Sequence, residues 1–260
     1  MLFRSRQGKT AGLNLAIAEA RGDIVVFSDA NSIYRPDTIR RLVRNFADPA
    51  VGYVTGKMIY VNPDGSMVGD GCSAFMRYEN ALRAAETQVG SIVGVDGGVD
   101  AVRRQLYRPM RADQLPDFVL PLTVVEQGYR VIFEPKAELT EETLTSESSE
   151  YRMRVRVALR ALWALWDKRS LLNPFRSGVF AWQLWSHKLL RYMSFIPLAV
   201  AAVINWLLLA GHPAYLAGVV GQVVFAVFVI AALVGPSFVG RSALGRYYME
   251  IGRASCRERV

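Results

Sequence analysis

Two oxygen-bearing side chains follow the end of a predicted strand. Asp29 and Asn31 come directly after the apolar run at residues 24–27. Open α/β sheets bind their ligands at the carboxyl ends of the strands. A carboxylate there, with a second oxygen donor two residues on, can hold Mg²⁺ or Mn²⁺ against a diphosphate, because hard cations prefer oxygen ligands and share them with phosphates. The same pair is also typical of a turn or a helix N-cap before Pro36.

A phosphate-binding loop is suggested, and then disfavoured, by Gln7-Gly8-Lys9-Thr10. A P-loop requires a glycine five positions before its Gly-Lys pair, so that backbone N–H groups can surround the phosphates. Phe3 occupies that position, and no strand pattern precedes it. A P-loop NTPase is therefore disfavoured. Lys9 stays a candidate for contact with a phosphate group, the alternative being a solvated loop lysine.

Residues 1–150 alternate between helical and strand patterns, which predicts an α/β layer that places Asp29 at a sheet edge. The apolar run that precedes Asp29 is typical of a strand buried on both faces in a parallel sheet. The predicted helices cover residues 12–21, 36–46, 75–89 and 120–127, and the predicted strands cover residues 23–28, 51–56, 58–61 and 130–135, with a turn at 62–65.

The second half of the chain is basic and then strongly apolar. Residues 151–193 mix arginines with tryptophans, which predicts a basic linker and amphipathic helices at a lipid–water boundary. Residues 194–210 and 214–234 are runs of 17 and 21 residues without a charged side chain. Since a helix needs about 20 residues to span a bilayer, we expect a transmembrane hairpin over 194–235. A buried core hairpin is the alternative.

The net charge of +8 comes from 31 Lys and Arg against 23 Asp and Glu. Both flanks of the expected hairpin are basic, with His187, Lys188 and Arg191 before it and Arg241 and Arg246 after it. Because positive flanks stay on the cytoplasmic side, we expect a multi-pass protein of the cell (inner) membrane with a cytoplasmic α/β domain. This arrangement accounts for the basic surplus without nucleic acid as a partner.

The cysteines and the C-terminal end carry little information on function. Cys72 and Cys256 share no Cys-x-x-Cys spacing, which excludes a disulfide scaffold and a cysteine zinc site. Residues 236–250 are predicted to be a cytoplasmic basic segment. Residues 251–260 resemble the translation of a sequencing adaptor and are left out of the fold prediction. We expect the chain to be truncated at both ends.

Seven motifs occur in order along the chain, at 8–14 (GKTAGLN), 22–31 (GDIVVFSDAN), 37–46 (DTIRRLVRNF), 94–104 (GVDGGVDAVRR), 117–121 (DFVLP), 128–131 (GYRV) and 186–191 (SHKLLR). Together they resemble the family 2 glycosyltransferases of the cellulose-synthase and hyaluronan-synthase type. The similarity covers nearly all of residues 8–235. It implies a nucleotide-sugar-transferase (GT-A-like) α/β domain lacking its first strands, because the family's uracil-reading strands should precede Gly8.

The resemblance implies roles for three side chains. Asp29 matches the metal-binding aspartate of the family's Asp-x-Asp motif, and Asn31 takes the second position as a weaker, neutral donor. Asp117 lies 11 residues before Gly128 and matches the catalytic base, which takes the proton of an acceptor hydroxyl as it attacks the anomeric carbon. A plain helix N-cap is the alternative for Asp117, and Pro116 replaces the acidic residue that usually precedes it.

Further matches concern the donor diphosphate and the acceptor. Lys9, Asp29, Asn31 and Arg156 are expected at the diphosphate. Arg156 takes the place of the arginine in the family's Gln-x-x-Arg-Trp element, whose Gln and Trp are replaced here by methionine and valine. This loss speaks against processive polymer synthesis. The segment Asp96-Gly97-Gly98 matches the acceptor-binding position, with a simple β-turn as the alternative.

We therefore expect a membrane-bound inverting glycosyltransferase that uses Mg²⁺ or Mn²⁺ to transfer a sugar from a UDP-sugar to a hydroxyl of a glycan or lipid. Inversion follows from a single displacement, since one base and no protein nucleophile are found. As given, without the uracil-reading strands, the chain is expected to be inactive. A non-catalytic membrane module is the alternative, favoured by Asn31, Pro116 and the incomplete arginine element.

Overall fold

The computed structural model describes residues 8–61, 70–142, 147–209 and 211–234. Its helices are α1 (Lys9–Glu19), α2 (Thr38–Val43), α3 (Asp70–Val89), α4 (Pro116–Glu126), α5 (Glu147–Asp167), α6 (Pro174–Leu184), α7 (Leu190–Tyr192), α8 (Phe195–Leu207) and α9 (Pro213–Val234). Its strands are β1 (Ile24–Ser28), β2 (Ser32–Tyr34), β3 (Val51–Val61), β4 (Val99–Arg103) and β5 (Arg130–Glu142). The predicted turn at 62–65 and the segments at 236–250 and 251–260 lie outside the described residues.

The described strands form one five-stranded sheet in the order β1-β4-β3-β5-β2. At its centre β3 and β5 run parallel, and their register extends from Val51 opposite Arg130 to Val61 opposite Glu142. β4 lies between β1 and β3 and is antiparallel to both. β2 is antiparallel to β5. The fold is thus a mixed α/β layer, as the alternation of patterns predicts.

The position of β1 differs from the prediction. It is an edge strand in the described sheet, pairs antiparallel with β4, and its apolar side chains are only half-buried. The apolar run was therefore wrongly interpreted as a strand buried on both faces of a parallel sheet. The predicted strands at 51–56 and 58–61 form one strand, β3, whose pairing with β5 shifts register between Thr55 and Lys57.

The hydrophobic core lies on both faces of the sheet. Alternate residues of β3 point to opposite faces, so that Tyr53 belongs to one core cluster and Val54 to the other. The larger cluster packs the sheet against helices that include α4, α5 and α6. The smaller cluster packs the sheet against Leu42 of α2. Both clusters hold the ends of β1 and β4 in place, where the candidate site lies.

Two consecutive arginines fix the far end of β4. Arg103 donates hydrogen bonds to the carbonyl oxygens of Val51 and Phe46, at 2.7 and 2.8 Å, and its guanidinium lies 5.4 Å from the centre of the Phe46 ring. Arg104 donates to the carbonyl oxygen of Gly22 at 2.8 Å. These bonds join the starts of β1 and β3 to the end of β4, which explains the arginine pair of the 94–104 motif.

A buried charged cluster holds residues 174–192 against α3. His187 contacts Glu79 at 3.3 Å and Glu86 at 3.1 Å, one through each ring nitrogen, and Arg191 donates to Glu79 at 2.9 Å. Burial alone would lower the pKa of His187, but the bonds to the two glutamates outweigh it and raise that pKa. Burial opposes ionisation of Glu79 as well, yet the bond from His187 and the nearby cations bring its pKa down to about 2.

The C-terminal helices α8 and α9 contact each other and expose many large apolar side chains. Within the described residues, no single helix is both long and apolar enough to cross a membrane. The helical segment Pro174–Tyr192 and helix α8 would suffice together by length and composition, with a bend of 65° between them. The transmembrane hairpin over 194–235 stays a prediction.

We expect Gly56→Ala to lower the free energy of unfolding by about 1–3 kcal/mol, the usual cost of overpacking. A Cβ at Gly56 would lie 2.5 Å from the carbonyl oxygen of Ala137, on β5, and 2.6 Å from Val99. Urea unfolding would measure the change. Gly90→Ala is the control, since its Cβ would meet nothing within 4 Å; equal stability of the two variants would contradict the described β3–β5 pairing.

Candidate active site

One ammonium group joins the two carboxylates that the sequence singles out. Lys9 Nζ lies 2.9 Å from Asp29 Oδ1 and 3.2 and 3.3 Å from the two oxygens of Asp117. The three side chains are 31%, 21% and 17% exposed, so they line a surface cleft. Two carboxylates that are 88 positions apart in the chain, Asp29 and Asp117, thus contact the same cation.

The first turn of α1 places Lys9 by docking on the loop that precedes α4. Thr10 donates a hydrogen bond from its hydroxyl to the carbonyl oxygen of Gln114 at 2.9 Å. The side-chain amide of Asn14 donates to Met110 O at 2.7 Å and accepts the hydroxyl of Tyr107 at 2.7 Å. The first motif, at 8–14, therefore holds α1 against the loop at 107–115.

Asp29 lies where β1 ends, in a tight turn that leads into β2. Its carbonyl oxygen accepts the backbone N–H of Ser32 at 3.2 Å. The hydroxyl of Tyr34 donates to the carbonyl oxygens of Phe27 and Gly98, at 3.1 and 3.2 Å, and so ties this turn to the start of β4. Asn31 is exposed in the same turn. Both predicted metal ligands therefore face the solvent side of the cleft.

Asp117 lies in the first turn of α4, which begins at Pro116. Proline is favourable at the first helical position, because its missing N–H has no partner there in any case and its φ angle already suits the helix. The replacement of the family's acidic residue by Pro116 is thus compatible with a regular helix start. The positive end of the helix dipole favours a carboxylate at this position.

Burial dominates the ionisation of Asp117. It raises the pKa of this carboxyl to about 6, although the charge of Lys9 acts in the opposite direction. Asp117 and Asp29 in turn act on Lys9. Burial alone would lower the pKa of Lys9, but the charges of these two carboxylates raise it. A carboxylate with a pKa near neutrality suits a general base, since it is ionised at pH 7 and still binds a proton well.

A third carboxyl group, which the sequence analysis missed, lies behind Asp117. Asp100 is 1% exposed in the middle of β4, opposite Thr55 of β3. Burial and then the charge of Asp117 raise its pKa to about 7. The pKa of Tyr53 is also raised well above its ordinary value, by burial and by the charge of Asp100. The signal for Asp100 in the sequence was a single acidic residue among the apolar residues of β4.

The absence of a side chain at Gly97 leaves room for the carboxyl group of Asp117. Its backbone has φ +79°, and a Cβ there would lie 2.6 Å from the carboxyl carbon of Asp117. Glycine is the residue that adopts this conformation without strain and with no side chain in the way. Gly98 is buried next to it, at the start of β4. Gly97 therefore lies directly next to the candidate base, whereas a Cβ at Gly98 would meet Met58 instead.

Asp96, predicted at the acceptor, is engaged elsewhere. Its carboxylate is 4% exposed and lies 2.6 Å from the guanidinium of Arg83 on α3. This buried ion pair fixes the loop that carries Gly97, so Asp96 positions that loop instead of facing the cleft. The Lys188 side chain packs against the same loop and leaves no room for a Cβ at Gly94. Arg83 is thus a second residue that the sequence analysis missed.

Arg156 is not brought into the cluster. It is exposed on α5, and the contacts that join Lys9, Asp29 and Asp117 do not include it. Its expected contact with the donor diphosphate stays a prediction.

Part of the chain matches a known protein family. Residues 1–98 match the family model described as Glycosyl transferase family 2. This segment, 98 of the 260 residues, is similar to glycosyltransferase family 2. The matched segment contains Lys9, Asp29 and the loop with Gly97, and it ends before Asp117. The cellulose-synthase and hyaluronan-synthase subtype stays a prediction.

Two curated relatives come from bacteria. The chain is 26% identical over 152 residues to an N-acetylglucosaminyltransferase of Rhizobium sp. (strain N33), covering 53% of this chain and 33% of that protein. It is 23% identical over 199 residues to an N-acetylglucosaminyltransferase of Bradyrhizobium diazoefficiens, covering 71% of this chain and 38% of the relative. The chain thus spans little more than a third of the length of these relatives.

A solved structure supports the fold. The mannosyltransferase of Pyrobaculum calidifontis, in complex with GDP-Man and Mn²⁺, matches with a TM-score of 0.60 and 22% identity, over 98% of this chain and 67% of that chain. At this identity the similarity concerns the fold, which is GT-A-like as expected.

The candidate site contains oxygen donors of the kind that divalent cations prefer. No group of three or more His, Cys, Asp or Glu side chains in the described part of the chain is arranged to hold a metal ion. Asp29 and Asn31 offer hard oxygen donors at the mouth of the cleft, and the Lys9 ammonium already lies 2.9 Å from Asp29. Mg²⁺ or Mn²⁺ commonly completes its shell with phosphate and water oxygens, and a divalent cation at Asp29 and Asn31 stays a prediction.

We expect Gly97→Ala to displace Asp117 from Lys9. Gly128→Ala is the matched control, because its φ is +86° and a Cβ there would meet nothing within 4 Å. Both variants carry the backbone strain of about 1–3 kcal/mol, but only Gly97→Ala places an atom against the carboxyl group. Carboxyl ¹³C NMR should show a changed titration of Asp117 in Gly97→Ala alone; the same titration in both variants would contradict the contact.

The stability of the domain should depend on pH through Asp117. Its pKa of about 6 in the folded chain exceeds the ordinary value of 3.8, so between these values the folded state holds a proton that the unfolded state has lost. The free energy of unfolding therefore falls as the pH rises from about 4 to about 6.

Asp117→Asn should make that decline shallower, by up to about 3 kcal/mol at about 1.4 kcal/mol per pKa unit. Urea unfolding at pH 4, 5, 6 and 7 would measure it. Asp113→Asn, at a carboxylate that is 69% exposed, should leave the slope between pH 4 and 6 unchanged. An unaltered slope in Asp117→Asn would mean that this carboxyl does not titrate in that range.

Proposed function

We propose that this chain contains the catalytic centre of an inverting glycosyltransferase, which transfers a sugar from a UDP-sugar to a hydroxyl of a glycan or lipid. The observation that carries the proposal is the contact of Lys9 with both Asp29 and Asp117 in one cleft. The match of residues 1–98 to the family 2 model supports the reaction class.

Asp117 is the proposed base. An acceptor hydroxyl that enters beside Gly97 delivers its proton to the Asp117 carboxylate while its oxygen attacks the anomeric carbon. The new C–O bond forms as the bond from that carbon to the diphosphate breaks, and the nucleoside diphosphate leaves with its electron pair. A single displacement of this kind inverts the anomeric centre.

Charge balance explains why a divalent cation is expected. Lys9 supplies one positive charge to the two carboxylates Asp29 and Asp117. A diphosphate would therefore approach a cleft with a net negative charge, and repulsion would oppose its binding. Asp29, with Asn31 as a weaker donor, would hold Mg²⁺ or Mn²⁺, which when bound neutralises the diphosphate as it leaves. Lys9 stays available to contact the same phosphates.

The donor and the acceptor are proposed by class. Two curated relatives are named N-acetylglucosaminyltransferases, and the matching Pyrobaculum structure is a complex with GDP-Man. UDP-N-acetylglucosamine is therefore the first donor to test, with GDP-mannose as the comparison. For location, we propose a cell membrane, with the exposed apolar helices α8 and α9 in the bilayer and the α/β domain on its cytoplasmic side.

Separate losses in Asp29→Asn and Asp117→Asn would test this function. In a chain extended upstream to include the uracil-reading strands, titration of UDP-N-acetylglucosamine with Mn²⁺ by calorimetry should show metal-dependent binding that Asp29→Asn weakens by about tenfold or more. Asp117→Asn should retain that binding and lower the release of UDP by about 10²- to 10⁴-fold, the usual contribution of a general base.

Asp113→Asn is the control for both readouts, because this carboxylate is exposed and lies outside the cleft contacts. Donor binding that is indifferent to the metal and to Asp29→Asn would contradict the diphosphate role. Full turnover in Asp117→Asn would contradict the assignment of the base.

A further inference from the structure

A second cavity lies on the other side of the loop that docks α1. Its volume is about 570 Å³, and it opens between the loop at 107–115, the C-terminal half of α4 and the start of α6. The backbone carbonyls of Met110 and Gln114 bind α1, while both residues also line this cavity. The cavity shares none of Lys9, Asp29 and Asp117 with the candidate active site.

The lining of this cavity is basic, with Arg108, Arg111, Lys168 and Arg176 against Glu126. Two of the cations are already compensated. Lys168 lies 2.6 Å from Glu126, and Arg111 contacts aspartates at 2.9 and 3.2 Å.

The other two cations are not compensated. Arg108 donates only to backbone carbonyls, at 2.8 and 3.1 Å, and neither Arg108 nor Arg176 forms an ion pair with any described residue. Two guanidinium groups at the wall of one cavity therefore lack a counter-charge within the described chain.

We propose that this cavity binds a phosphate ester. A guanidinium group presents parallel N–H donors whose spacing matches two oxygens of a phosphate, and it remains charged at any physiological pH. Two such groups supply the charge for a phosphate anion, while Lys168 and Arg111 are already engaged by neighbouring carboxylates. The volume falls within the range of small-molecule sites, roughly 300–1,000 Å³, so there is space for an ester that is larger than inorganic phosphate.

Two sources supply this chemistry, namely a soluble phosphate compound and the headgroup of an anionic lipid. The surroundings of Arg176 favour the headgroup. Its neighbour Phe175 is 99% exposed, and Trp182 on the same helix and Trp166 before it are 69% and 64% exposed. Aromatic side chains next to unpaired cations are typical of surfaces that meet the headgroup region of a bilayer.

The test uses the full chain in non-ionic detergent with EDTA, so that no metal-assisted binding at Asp29 contributes. One arm titrates inorganic diphosphate, and the other titrates short-chain phosphatidylglycerol against short-chain phosphatidylcholine. We expect saturable binding of diphosphate, of phosphatidylglycerol or of both, which weakens with ionic strength. Binding of diphosphate alone would identify a soluble ligand, and binding of phosphatidylglycerol alone would identify a headgroup; either supports the site.

Arg108→Gln and Arg176→Gln should each weaken that binding by about tenfold, the loss of one charge-assisted hydrogen bond. Arg40→Gln is the matched control, an exposed arginine of α2. Circular dichroism would confirm that all three variants keep the fold. The absence of saturable binding in both arms would overturn the proposal. Equal affinities of the Arg108, Arg176 and Arg40 variants for the ligand would also overturn it. So would equal affinities for the two lipids if diphosphate does not bind.

Discussion

The placement of one ammonium between two carboxylates is the constraint on which the site depends. Asp29 ends a strand and Asp117 begins a helix, and each would be repelled by the other without Lys9 between them. The cation in turn depends on α1, which the side chains of Thr10 and Asn14 fasten to the loop before α4. The geometry of the cleft is therefore set by hydrogen bonds to a loop backbone, at residues that perform no chemistry themselves.

Buried charged residues beneath the cleft also hold its geometry in place. The buried pair of Arg83 and Asp96 fixes the loop that carries Gly97, and a buried ion pair of this kind costs several kcal/mol if one partner is lost. Asp100 adds a carboxyl group that is itself half-ionised near neutral pH, since its pKa is about 7. The burial that makes these groups costly is also what brings Asp117 close to the pKa that a general base needs.

The sequence predicts the parts of the structure that leave a local pattern. The α/β class and the helices near α1, α3 and α4 follow from periodicity. The choice of Asp29 and Asp117 as candidate site residues follows from the resemblance of the ordered motifs, and their shared contact with Lys9 is a finding of the structure. β2 is too short for a pattern, with three residues, and Asp100 interrupts the apolar run of β4. The edge position of β1 and the partner of Asp96 depend on contacts between distant segments, which no local pattern reveals. The proposed phosphate site was missed because its arginines come from a loop and a helix 68 positions apart.

The parallel pairing at the centre of the sheet has a consequence for how the chain acquires its structure. β3 and β5 are joined at residues about 80 positions apart along the chain, and contacts of such separation slow folding because a long loop must close before they form. During synthesis β3 emerges from the ribosome well before β5, its parallel neighbour, has been made. The edge of β3 that pairs with β5 then stays unpaired until residue 142 has been made. Nascent chains of intermediate length are therefore the species most in need of chaperones.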